Sequence, residues 1–181
     1  MLLFQSSKMK SSAASGFRLP DIILGGQDGL VNVLGIVLGI VAAGGEHRIL
    51  IAASFAAAFA EAISMGAVAY TSTIAARDYE IKFKVQNTEL KSTKEVLVTS
   101  LIVGITALLG AFIPIVPFMV FPVSIAMPIA LIVSAATLFS VGVYQAKTLV
   151  GVWWKTGLQM TIIGMGAAFA GFFVGKMFGA N

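Results

Sequence analysis

Five stretches of this chain are long and apolar enough to cross a lipid bilayer, which leaves few folds open to it. A spanning helix needs about 20 mostly apolar residues. Residues 19–43, 49–75, 96–113, 124–146 and 156–177 each supply such a run. Apolar residues make up 58% of the sequence and charged residues 11%, against about 25% charged in an average soluble domain. A soluble chain of this size would have to hide more apolar surface than one core can hold. The expected fold is an all-α integral membrane protein with five transmembrane helices in a single domain, residues 19–179. The first run is too long for a signal peptide and lacks a small-residue cleavage site. Residues 1–18, rich in Ser and Lys, form an N-terminal segment expected in the cytoplasm or along the membrane surface.

Punctuation residues set the expected boundaries. Pro20 lies near the first turn of the first run, where proline is tolerated. Gly44 and Gly45 end that run, and Glu46, His47 and Arg48 make a short turn in which His47 reads as solvated. Pro114, Pro117 and Pro122 are expected to break the third run near residue 113. Pro128 falls in the first turns of the fourth, and Trp153 and Trp154 suit a membrane interface. Residues 76–95 form a short charged connection between the second and third spans, expected as a cytoplasmic extension of the second helix and a topology signal.

Basic residues point to an orientation. One side receives Lys8, Lys10, Arg18, Arg77, Lys82, Lys84, Lys91, Lys94, Lys147 and Lys155, and the other only Arg48 and Lys176. Positively charged loops stay in the cytoplasm, so the N-terminus is expected there and the C-terminus outside. The net charge of +4 thus serves topology rather than nucleic acid. An odd number of spans cannot divide into two equal inverted halves, so any functional symmetry must come from a second copy. The chain has no cysteine and one histidine, set in a turn. With no histidine–acid cluster, nucleophile elbow or cofactor motif, neither an enzyme nor a resident cofactor is expected.

Charged groups inside a span cost a few kcal/mol each and are functional candidates by default. Asp21 and Asp28 lie seven residues apart in the first span, roughly 10 Å along one face. Asn32 follows Asp28 by four residues and shares that face. Glu61 sits mid-span in the second run, with Ser64 nearby and Met65 four residues on. Carboxylates supply hard anionic oxygens, whereas a thioether is soft and favours transition metals over calcium or magnesium. Metal and proton compete for the same carboxylate oxygens, which is enough to couple their movements. Structural readings stand beside this one. Met65 can be core packing, Asp28 can serve backbone donors near Gly25, Gly26 and Gly29, and Asp21 can be an interfacial carboxylate at a helix start. The spacings of Gly25 and Gly29, and of Gly35 and Gly39, indicate close helix packing and make the first helix a candidate dimer seam.

The stretch DIILGGQDGLVNVLGIVLGI, residues 21–40, resembles the first helix of the vacuolar iron transporter (VIT) family. Its opening there is Asp-Ile-Ile-x-Gly-x-x-Asp-Gly-Leu. The stretch EAISMGAVAYTSTIAARDYE, residues 61–80, resembles the family's second helix, with its Ala-Ile-Ser-Met-Gly core. Similarity continues through LLGAFIPIVPFMV, residues 108–120, and through residues 153–179. The resemblance implies a five-helix protomer, a homodimer, and export of ferrous iron, often manganese too, in exchange for protons. It matches the family's first-helix aspartates to Asp21 and Asp28 and its second-helix methionine to Met65. Two departures stand out. Family members commonly carry a glutamate eight residues before that methionine, where this chain has Ala57, with Glu61 one turn closer. Some members also insert a long glutamate-rich cytoplasmic segment after the second helix. Here the connection holds Asp78, Glu80, Glu89 and Glu95 against Arg77, Lys82, Lys84, Lys91 and Lys94, a net positive charge that does not collect cations. Asp78 and Glu80 remain candidates for the entrance.

The expected function is therefore a divalent metal transporter, for ferrous iron or manganese, in a prokaryotic cytoplasmic membrane or a vacuolar-type membrane. Its expected partners are metal ions, protons, lipid and a second copy. The competing reading is a non-transporting membrane scaffold whose buried carboxylates serve helix packing.

Overall fold

The computed structural model describes residues 19–83, 92–148 and 151–179. The expectations for residues 1–18 and for Lys84, Glu89 and Lys91 lie outside the described residues. Among those described, five helices are long and apolar enough to span a membrane. They are α1 Leu19–Ala42, α2 His47–Phe83, α3 Thr93–Val120, α4 Val123–Thr148 and α5 Trp153–Phe178.

Helix α1 holds the bundle together. It packs mainly on α3 and α5, and Leu30, Val33, Leu34, Val37 and Leu38 along it are buried. Val33, Leu34, Val37 and Leu38 cluster with Leu50 and Ala58 of α2, Ala111, Ile115 and Phe118 of α3, Ala126 and Ala130 of α4, and Ala168 of α5. Lipid tails are as apolar as these side chains, so hydrophobicity alone does not draw helices together in a membrane. Close backbone packing through small residues does. A Cβ added to Gly29 would overlap the Ala107 carbonyl oxygen, and one added to Gly110 would overlap that of Gly26. On the other flank, Gly171 meets Gly35 and Gly175 meets Gly39 in the same way. The paired residue numbers rise together, so α1 runs parallel to both α3 and α5. The glycine spacings therefore do indicate close packing, but within one chain. They form seams with α3 and α5 and are not free to make a seam between two copies.

The connection from α1 to α2 is a Schellman turn. Gly44 adopts φ +73°, a left-handed conformation open to glycine. Its amide bonds to the Val41 carbonyl at 3.1 Å, and that of Gly45 to Ile40 at 2.9 Å. Helix α2 then runs for 37 residues, roughly 55 Å at 1.5 Å per residue. A hydrocarbon layer is about 30 Å thick, so the helix continues past residue 75 and projects well beyond it. Part of the charged connection is thus helix.

Helix α3 starts on a capping box. Ser92 accepts from the Glu95 amide at 3.3 Å, and the Glu95 carboxylate accepts from the Ser92 amide at 2.8 Å. It then departs from expectation by running through Pro114 and Pro117 to Val120. Both prolines are buried in the bundle, and neighbouring helices let a spanning helix keep such residues. The break comes at Phe121, which is extended at φ −120° and ψ 154°, as the residue before Pro122 must be. Pro122 has no N–H to offer the Phe118 carbonyl. His47 supplies the missing donor: its Nε2–H bonds to that oxygen at 2.8 Å. His47 is thus exposed yet engaged, and the reading of a merely solvated residue is corrected.

A Gly29→Val protein is expected to fail to give a monodisperse, thermally stable bundle in detergent. Gly166→Val, at a position with open space beside it, should behave as wild type. Equal stability of the two variants would refute the seam.

Candidate functional site

Three polar side chains meet between α1 and α2. The Glu61 carboxyl stands within side-chain hydrogen-bonding reach of the Asp28 carboxyl and the Asn32 amide. Helical spacing puts them there. Leu24, Asp28, Asn32 and Ile36 recur every four residues on one face of α1. That face is distinct from the two glycine seams and is left uncovered: Leu24, Asn32 and Ile36 are exposed, and Asp28 is partly buried. Helix α2 descends beside it, antiparallel after the tight turn, and brings partly buried Glu61 level with Asp28 and Asn32.

Met65 lies one turn further along α2 from Glu61, partly buried, on the side toward the Asp21 end of α1. Ser64 beside it is exposed. One turn the other way, Ala57 packs against the apolar core. A glutamate there would face that core, whereas Glu61 falls where polar partners exist. Asp21 occupies the first turn of α1, about 10 Å from Asp28 along the axis, and is not drawn into the cluster. Asp78 and Glu80 lie roughly 25 Å or more beyond Glu61 on α2. Asp78 is exposed, with its Oδ1 3.8 Å from Arg77 Nε.

The chemistry of the cluster follows from its composition. Two carboxyls side by side offer paired oxygens, the kind of donor that both a cation and a proton can occupy. Asn32 adds an amide that donates to a carboxylate through nitrogen or offers oxygen to a cation. Among the described residues, no group of three or more His, Cys, Asp or Glu side chains converges on one point. One chain therefore contributes two carboxyls and one amide at this level, with a thioether one turn away.

A sequence profile of the VIT family matches residues 19–99 and 80–176, nearly all of the described chain. The chain belongs to the VIT family. It is also 27% identical over 139 residues to an uncharacterized protein of Methanocaldococcus jannaschii, covering 70% of this chain and 72% of that relative. Membership in this family of transporters points to metal-ion transport in general, and the five apolar helices indicate an integral membrane protein.

The residue that sequence reading undervalued is His47. Its signal was there in Pro122, four residues after Phe118, which announces a carbonyl without its helical donor.

A Glu61→Gln protein keeps an amide facing Asp28 and Asn32. Its stability in detergent is expected within about 1 kcal/mol of wild type, the net worth of one hydrogen bond. A loss of several kcal/mol would make the cluster a packing contact and favour the scaffold reading.

Proposed function

We propose that this VIT-family protein exports a divalent transition metal, ferrous iron or manganese, from the cytosol in exchange for protons, and works as a homodimer. The observation that carries the reading is the meeting of Asp28, Asn32 and Glu61 on the open face of α1. Polar groups inside a membrane ordinarily face a bundle interior or a water-filled cavity. Here a single chain leaves Asn32 exposed and Asp28 only partly covered. A second copy against this face would enclose them and double the donor set. Asp28 and Glu61 would then supply carboxylates from both copies, and Met65 a thioether from each. Hard oxygen with soft sulfur suits ferrous or manganous ions better than calcium or magnesium.

Proton coupling follows from the same carboxyls. When Asp28 and Glu61 share a proton, they cannot offer full negative charge to a metal. Entry of the metal releases the proton, and return of a proton expels the metal. Glu61 takes the part that family members give to a glutamate one turn earlier, at the position of Ala57. Asp21 guides ions between the cytoplasmic mouth and the cluster. Asp78 and Glu80, on the projecting end of α2, meet ions first.

The direction of transport rests on charge. Arg77, Lys82, Lys94, Lys147 and Lys155 gather at one end of the bundle, against Arg48 and Lys176 at the other. The positive-inside rule puts the richer end in the cytoplasm. The archaeal relative supports a prokaryotic cytoplasmic membrane as the site of action.

Reconstituted into liposomes with an imposed pH gradient, the wild type is expected to move ferrous iron or manganese. Asp28→Ala and Met65→Ala should fall to the level of empty liposomes while eluting as folded protein. Flux retained in an Asp28→Ala/Met65→Ala double variant would sink this mechanism. No flux of any divalent metal from folded wild type would leave the scaffold reading standing.

A further inference from the structure

A second feature lies on the far flank of α2. Between α2 and α3 runs an apolar groove of about 500 Å³, lined among others by Phe59, Ile63, Tyr70, Leu97, Leu101 and Ile105. Ile63 and Tyr70 are turned about half a revolution away from Glu61 on the helix. The groove is therefore separate from the metal cluster and from the face assigned above to a second copy. It opens sideways from the bundle at the depth of the spans, where lipid is the solvent.

One end of the groove is basic. Along α3 its lining continues from Leu101 through Leu97 to Thr93 at helical spacing, and along α2 from Tyr70 to Arg77. There the two helices are joined, because Arg77 donates from a terminal guanidinium nitrogen to Thr93 Oγ1 at 3.1 Å. Lys94 is the next residue. A guanidinium carries five N–H donors. In Arg77 the Nε–H is buried and has no hydrogen-bond acceptor among the described residues. Asp78 Oδ1, at 3.8 Å, is beyond hydrogen-bond length. The other nearby acid, Glu95, is turned to the Ser92 amide in the capping box. Val96 opens the apolar run of α3, so Thr93 and Lys94 lie two to three residues, roughly 3–5 Å, outside the hydrocarbon edge. Phospholipid phosphates sit at that level, and basic pockets between spanning helices bind anionic headgroups.

We propose that the α2–α3 groove seats an acyl chain of one anionic phospholipid, with its phosphate held by Arg77 and Lys94. The apolar channel takes the chain, and the charges of the Arg77 guanidinium and the Lys94 ammonium draw the phosphate to its mouth. The lipid then braces α2, the helix least buried by the rest of the bundle and the one that carries Glu61. Charge decides the class of lipid, because a zwitterionic headgroup brings a cation of its own to Arg77 and Lys94.

The test uses the full-length protein in detergent, with dioleoyl phosphatidylglycerol and dioleoyl phosphatidylcholine as probes. Native mass spectrometry of wild type should show phosphatidylglycerol adducts in clear preference to phosphatidylcholine at equal concentration. Phosphatidylglycerol should also raise the melting temperature more. Arg77→Gln/Lys94→Gln is expected to erase both preferences, and Ala67→Phe, which fills the groove, to lose the adduct with Arg77 intact. Equal binding of the two lipids by wild type would overturn the proposal, whether or not the variants fold. So would a preference that survives in the folded Arg77→Gln/Lys94→Gln protein. A preference lost in that protein but kept with the groove filled would leave only surface attraction of charge and would equally overturn it.

Discussion

The contact on which this structure depends is backbone against backbone along α1. Within lipid no helix gains by hiding apolar side chains from water, so the bundle must be held by dispersion at close range. Glycines at 25, 29, 35 and 39 allow that approach, the first two against α3 and the last two against α5. At Gly25, Gly29 and Gly39 a Cβ would press on the facing helix, and at Gly35 the tight partner is Gly171 across the seam. The interior cluster from Val33 to Leu38 then packs between the two seams.

Two occupied flanks leave α1 a third, and that is where the proposed site lies. The four-residue spacing of Leu24, Asp28, Asn32 and Ile36 turns a polar stripe away from both seams. The Schellman turn at Gly44 and Gly45 sends α2 back alongside it. The bond from His47 to the Phe118 carbonyl ties the start of α2 to the end of α3, which fixes the height at which Glu61 arrives. Moving the carboxyl one turn from position 57 to position 61 keeps it on the same face and changes its depth. At the shallower position it would meet apolar core, and at the observed one it meets Asp28 and Asn32. In the reading proposed above, this shift relocates the proton-sharing pair without dismantling it.

Much of this was legible in the sequence, because hydropathy reports spans directly and Glu61 has little structural excuse in mid-span. The resemblance to the VIT family likewise rested on residues around Asp28 and Met65 that the family profile also covers. What was not legible depended on partners distant in sequence. Glycine spacing reveals that a close contact exists but not with which helix, so the seams of α1 fell to α3 and α5 rather than to a second copy. Prolines at 114 and 117 read as breakers by the rules of water-soluble helices, yet α3 runs through both and stops only before Pro122. The role of His47 needed the Phe118 carbonyl, 71 residues away, to become visible.

The central claim is that Asp28 and Glu61 share a proton that a metal must displace. Proton release on adding manganese to the purified protein in weak buffer tests it most directly, beside the same titration of Glu61→Gln. Release that tracks metal binding in wild type and is lost in the variant is the predicted result. Metal bound without proton release, or equal release from Glu61→Gln, would contradict the account.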